Sequence, residues 1–275
     1  MGEVALSAGT VEYEDTGGDG PVLVFLTGLF VGATLWRHVV ADLYRDHRCV
    51  VLEMPLGAHR RPMGADADLT SAGLAGLVRE FLRELDLRDV TLIGCDWGGA
   101  QLVVPAEKRV RRLILLPQES FENFPPGVPG NLAYLASRVP GALFLALQPM
   151  RVRGLRRAPV NFGLMAKRPI PDAVLDGWLA PVLGNAEIRR DVVKYLRSTR
   201  RGEYVKAARH LRLFDGPALV LWAPESRMMR RENGIRLAEA LPQGRLVEID
   251  DSYVLIPEDR PTACAREIRV FVADS

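Results

Sequence analysis

The stretch Val90-Thr91-Leu92-Ile93-Gly94-Cys95-Asp96-Trp97-Gly98-Gly99-Ala100 reads as a buried strand that breaks into a turn of small residues and then starts a helix. Gly94 and Gly98 stand two residues either side of Asp96. A double glycine frame of this kind suits a sharp strand-to-helix corner, where the central residue takes strained dihedrals and neighbouring backbone passes close by. Asp96 is therefore expected at the C-terminal edge of a sheet. Cys95 does not occupy the framed position and is not the expected nucleophile. The Trp97 amide, at the start of the following helix, is a candidate donor to a developing negative charge. A second donor is expected from Thr27-Gly28-Leu29-Phe30, which leaves another buried strand and offers the amide of Leu29 or Phe30. The simpler alternative is a plain turn in which Asp96 caps the helix.

Working outward, further apolar runs read as strands: 10–14, 22–26, 49–52, 112–116, 218–222 and 246–249. Continuous apolar runs indicate strands buried on both faces, as in a parallel sheet. Helical periodicity lies between them at 35–44, 71–85, 232–241 and 262–271. Strand and helix alternate, which defines an α/β sheet with helices on both faces. The alternation stops between Ser120 and Leu213, where prolines punctuate short amphipathic stretches. The expected organisation is a core of residues 1–119 and 214–275 with a helical lid at 120–213. From Arg151 to Leu213 the chain has fifteen Lys/Arg against five Asp/Glu. That excess reads as a solvated basic face, or as a docking face for an acidic carrier protein or an anionic ligand.

Composition narrows the function class. Of 275 residues 48% are apolar and 25% charged, with 36 Lys/Arg against 34 Asp/Glu. Near-neutral charge argues against a dedicated nucleic-acid binder, which usually carries a basic footprint. No apolar run reaches the roughly 18 residues of a spanning helix, and the N-terminus has no basic leader pattern. Cys49, Cys95 and Cys264 are widely spaced and fit no metal-ligand pattern. A cytoplasmic protein is expected, with a small-molecule substrate, possible as a homodimer, with no metal or organic cofactor and no membrane partner.

The elbow Gly94-Cys95-Asp96-Trp97-Gly98-Gly99, the preceding Thr27-Gly28-Leu29-Phe30 and the inserted lid resemble the α/β-hydrolase superfamily, within it the haloalkane dehalogenase and epoxide hydrolase branch. The resemblance runs from about Val11 to Val272. It implies an eight-stranded, mostly parallel sheet with a helical lid. It also implies a carboxylate that attacks carbon to form an alkyl ester, which a histidine-activated water then hydrolyses. Three family positions differ here. Tyr253 stands where the histidine belongs, Ser226 where the acid after the penultimate strand belongs, beside Glu225, and Thr27-Gly28 replaces a His-Gly pair. Tyrosine, with an ordinary pKa near 10, is a poor general base at neutral pH.

Few groups can replace the missing base. His59 follows a strand on the catalytic edge, whereas His38, His47 and His210 do not. Glu119 follows the strand at 113–116, where some relatives place their acid; it pairs with Asp96 or serves as a solvated, hinge-capping carboxylate. Tyr253 is either a hydrogen-bond donor to a ligand or Asp96, or a core tyrosine. Tyr134, Tyr195 and Tyr204 lie in the lid, where epoxide hydrolases use two tyrosines. Phe121, Phe124, Phe144, Phe162, Met165 and Trp178 supply apolar surface for either the lid core or a pocket wall. A carboxylate under such a roof is expected to have a raised pKa. The reading is an enzyme of specialised metabolism that acts without cofactor on an apolar or polycyclic molecule. Asp96 is its acid/base in a cyclisation, isomerisation, elimination or epoxide opening. The alternatives are an epoxide, haloalkane or ester hydrolase with a relocated base, and a silent ligand-binding protein.

Overall fold

The computed structural model describes residues 1–97, 99–104, 107–200 and 202–275. The chain begins with β1 (Gly2–Leu6), β2 (Gly9–Asp15) and β3 (Val22–Phe25), then α1 (Arg37–Leu43), β4 (Arg48–Leu52) and α2 (Ser71–Glu84). It continues through β5 (Val90–Asp96), α3 (Ala100–Val103) and β6 (Val110–Gln118). After a helical segment come β7 (Ala218–Trp222) and β8 (Gly244–Glu248).

These eight strands form one sheet in the order β1-β2-β4-β3-β5-β6-β7-β8. β1 with β2, and β2 with β4, pair antiparallel, and every later pairing is parallel. All seven residues of β5 are buried, as suits a central parallel strand covered on both faces. Two helix pairs cover the sheet, α1 with the C-terminal helix at Pro261–Ala273 and α2 with α3. α2 shows the local logic. The Thr70 hydroxyl caps it by accepting the Gly73 N–H, and Leu74, Leu77, Val78 and Phe81 form its buried stripe.

Sequence reading finds seven of the eight strands within a few residues and misses β1. Glu3 and the partly exposed Val4 give that edge strand too short an apolar pattern to stand out. Neighbouring β3 and β5 leave the sheet in opposite directions, one towards β4 and one towards β6. Their carboxyl ends therefore frame a switch point, where open α/β sheets bind ligands.

Between β6 and β7 the described residues hold no strand. They form α4 (Gly127–Ala136), α5 (Ala142–Leu147), α6 (Asp172–Gly184), α7 (Ala186–Ser198) and α8 (Glu203–His210), with short 3-10 turns. α9 (Arg231–Ala240) precedes β8, and α10 (Ile256–Asp259) precedes the last helix, α11. Among the described residues no helix is long and apolar enough to cross a membrane.

Candidate active site

The corner after β5 has the strain expected of it. Asp96 sits at φ +64°, a region that non-glycine residues rarely occupy. Its turn is closed by the Trp97 N–H, which donates to the Cys95 carbonyl at 2.7 Å. Gly94 is needed because a Cβ there would lie 2.9 Å from Ala100 Cβ. Gly98, the other half of the glycine frame, lies outside the described residues. Gly28 makes room for the carboxylate itself, since a Cβ at that position would fall 2.1 Å from Asp96 Oδ2. Through that gap the Leu29 N–H donates to Asp96 Oδ2 at 2.9 Å.

The amides are directed differently from the sequence expectation. Trp97 N–H is engaged by Cys95, Leu29 N–H by the Asp96 carboxylate, and Phe30 N–H by the Leu56 carbonyl at 2.9 Å. They do not converge on a vacant oxyanion position. The loop after β3 instead steadies the acid. Asp96 is only 6% exposed, and burial pushes its pKa up to about 7 although the Leu29 hydrogen bond pulls the other way. Cys95 is inert by the same physics. It is fully buried, and desolvation sets its thiol pKa well above the usual range.

Above the acid lies a narrow cavity of about 60 Å³ that opens towards solvent. Asp96, Glu119, Leu29 and Phe30 line it from the sheet side; Phe124, Phe162, Met165 and much of α4 and α5 line it from the helical segment. The wall is mostly apolar with a few polar groups, the usual make-up of a small-molecule site. The α4 and α5 portion, including Leu132 and Ala146, was not singled out from sequence, nor was Met150 in the turn that follows. Proline-punctuated apolar stretches do not reveal which side chains turn inward.

Glu119 is brought to the same cavity. Its amide donates to the Asp96 carbonyl at 3.0 Å, and its Oε2 accepts from the Tyr195 hydroxyl at 3.0 Å. Tyr195 and Tyr204 hydroxyls meet at 3.3 Å, so α7 and α8 jointly grip this carboxylate. Both phenols are fully buried, and desolvation with the nearby Glu119 charge sets their pKa values well above 10. Tyr134 is elsewhere, under the Arg138 guanidinium at 3.7 Å.

Other candidates lie outside the cavity. His59 is buried, but its Nδ1 accepts from Gly57 N–H at 3.1 Å, and its Nε2 faces Asp191 Oδ2 at 3.3 Å. Both ring nitrogens are thus occupied, which leaves none to activate water. His47 is buried beside Asp46, and His38 and His210 are exposed. Among the described residues no histidine lines the cavity.

Tyr253 is half-buried, its N–H given to Asp259 Oδ2 at 2.9 Å, and the Ser226 hydroxyl accepts from Met229 N–H at 3.1 Å. Neither belongs to the cavity wall. Their loops instead clamp the helical segment: Asp259 also accepts the amides of Lys167 and Arg168, while Glu225 and Asp251 hold the Lys167 ammonium. Thr27 Oγ1 accepts from Met54 N–H, and Trp178 Nε1 donates to Thr34 Oγ1 at 2.7 Å. Both therefore serve packing, as does Trp97, which folds over Gly99. Phe121 lies under Arg236, and Phe144 is 38% exposed under Arg189. Among the described residues no group of three or more His, Cys, Asp or Glu is arranged to hold a metal ion.

Comparison with known proteins agrees with this geometry. Residues 21–261 match the α/β hydrolase fold family. A haloalkane dehalogenase of Mesorhizobium japonicum is 27% identical over 147 residues, a match that spans 50% of this chain and 47% of that protein. A cis-3-alkyl-4-alkyloxetan-2-one decarboxylase of Xanthomonas campestris pv. campestris is 25% identical, over 95% of this chain and 92% of that one. Among solved structures, an α/β hydrolase fold protein from Burkholderia ambifaria superposes with a TM-score of 0.77 at 22% identity, covering 97% and 96% of the two chains. A haloalkane dehalogenase loop variant from Bradyrhizobium elkanii gives 0.76 at 20% identity, covering 98% and 95%. The chain thus belongs to the α/β hydrolase fold family.

Proposed function

We propose that Asp96 passes a proton to and from an apolar or polycyclic small molecule held under the helical segment, which acts as a lid, in a step that consumes no water. The observation that carries this reading is the acid itself. A carboxyl that titrates at about 7 in an apolar cavity can both give and take a proton near neutral pH. An ester on Asp96 would be stranded, because among the described residues no imidazole lines the cavity to activate water. Cyclisation, isomerisation, elimination or epoxide opening in specialised metabolism needs no such base. The decarboxylase relative supports the same direction, since loss of carbon dioxide from an oxetan-2-one takes up no water.

A hydrolytic second reading is favoured by the dehalogenase relative and by Glu119, which shares the cavity with Asp96. In that case Asp96 attacks carbon, and Glu119 rather than His59 orients the water. The cavity also admits a silent binding protein as a reading, with Asp96 as a ligand contact. All three thiols are free and buried, which fits the cytoplasm.

The test is incubation with a panel of long-chain alkyl epoxides in ¹⁸O-labelled water, followed by mass spectrometry of product and protein. Isomers of unchanged mass, formed roughly 10²- to 10⁴-fold more slowly by Asp96→Asn, are expected. A diol carrying solvent oxygen would establish the hydrolase instead, and binding without any turnover would establish the silent protein.

A further inference from the structure

The helical segment wears its apolar side outward. α4 buries only Ala133 and Ala136, while Val128, Leu132 and Leu135, and Val139 just beyond it, are 44–63% exposed. These four recur at helical spacing on one face, the reverse of a helix that packs its large residues inward. α5 adds Leu145, 68% exposed, beside Phe144. Val152, Leu155 and Val160 extend the patch, so nine of the thirteen large apolar side chains exposed among the described residues fall within 128–160. A concentration like this marks an interaction site. Leu132 and Val160 also line the cavity, so the patch runs directly into the wall around Asp96.

Charge identifies the occupant. From Asn123 to Pro171 there is no Asp or Glu and there are seven Lys or Arg. Arg156 is buried and paired with Asp172 and Asp176, with Arg153 sharing both acids, and Lys167 and Arg168 are paired with Asp251. Arg138, Arg151 and Arg157 are exposed with no carboxylate partner among the described residues. Outward apolar side chains in a segment whose exposed cations lack carboxylate partners match an interface with acyl chains below and anionic headgroups above. A second copy of the same face would set cation against cation.

We propose that this face docks on a bilayer surface that carries anionic phospholipids, and that lipid-dissolved substrate enters the cavity past Leu132 and Val160. The docking stands without any reading of Asp96; only the entry of substrate rests on the function proposed above. Docking is read by co-sedimentation with phosphatidylcholine vesicles prepared with and without phosphatidylglycerol. Binding that requires phosphatidylglycerol is expected, reduced about tenfold or more by Arg151→Glu with Arg157→Glu and by Leu135→Asp with Leu145→Asp. High salt weakens it. Far-UV circular dichroism and thermal melts of both variants should match the parent, since the substituted residues are exposed. Equal or no pelleting with the two vesicle types overturns the proposal. So does a dimer in sedimentation that Leu135→Asp dissociates while the parent ignores vesicles, or binding of an acidic polypeptide in place of lipid.

Discussion

Asp96→Asn should stabilise the folded protein by about 4 kcal/mol at pH 8, with the advantage shrinking as the pH falls. The sign follows from the raised pKa. A buried carboxyl at about 7 holds its proton in the folded chain when the unfolded chain, near 3.8, has already released it. Folding therefore binds a proton between those values, and stability is lost as the pH rises from 4 towards 7. Above 7 both states are ionised and the full burden of the buried charge is present. Asparagine removes that charge and keeps an oxygen for the Leu29 N–H. Urea unfolding of both proteins at several pH values should show the difference falling by roughly 1.4 kcal/mol per unit between 7 and 4. A difference that does not vary with pH would mean the carboxyl is hydrated or paired.

Asp191→Ala is expected to have a comparable effect of opposite sign. Asp191 is fully buried in α7 and joins the helical segment to the loop after β4. It faces His59 Nε2 at 3.3 Å and accepts Met63 N–H at 2.8 Å and the Arg190 guanidinium at 2.9 Å. Burial works to raise its pKa, but these hydrogen bonds prevail and hold it below the usual carboxylate range. Truncation leaves two buried donors, His59 Nε2 and the Met63 N–H, without their acceptor and removes a partner of the part-exposed Arg190, which costs about 3–5 kcal/mol. Equilibrium unfolding would register that loss, and His59→Ala should be milder because Met63 and Arg190 keep their partner. A loss below ~1 kcal/mol for Asp191→Ala would show that this junction is wet or easily rearranged.

The contrast between these two residues shows what was legible in the sequence. Asp96 stood out because one short segment holds the apolar strand, the glycines and the turn, and the fold followed from alternating periods along the chain. The role of His59 was not legible, because its partner is 132 residues away and only the packing of α7 brings them together. Glu119 lines the cavity, but its grip by Tyr195 was not legible, because it depends on two helices whose order in the sequence gives no register. Tyr253 and Ser226 could be recognised as departures from a family pattern, and the structure supplies their physical context. Neither side chain lines the cavity, and Glu225 and Asp259 in the same loops anchor Lys167 and its neighbours. The amides of Trp97 and Leu29 were the subtlest case, since their direction is set by dihedrals rather than residue type. The outward face of α4 was equally hidden, because apolar periodicity fixes a stripe but not the side to which it turns.

The ionisation of Asp96 at the cavity floor tests the account most directly. Infrared difference spectra of the parent minus Asp96→Asn, collected across a pH titration, isolate the carbonyl stretch of that single carboxylic acid. A protonated band with its midpoint near pH 7 is the expected result. A band that disappears around pH 4 would contradict the account, because Asp96 would then be an ordinary solvated carboxylate unable to serve as an acid near neutral pH.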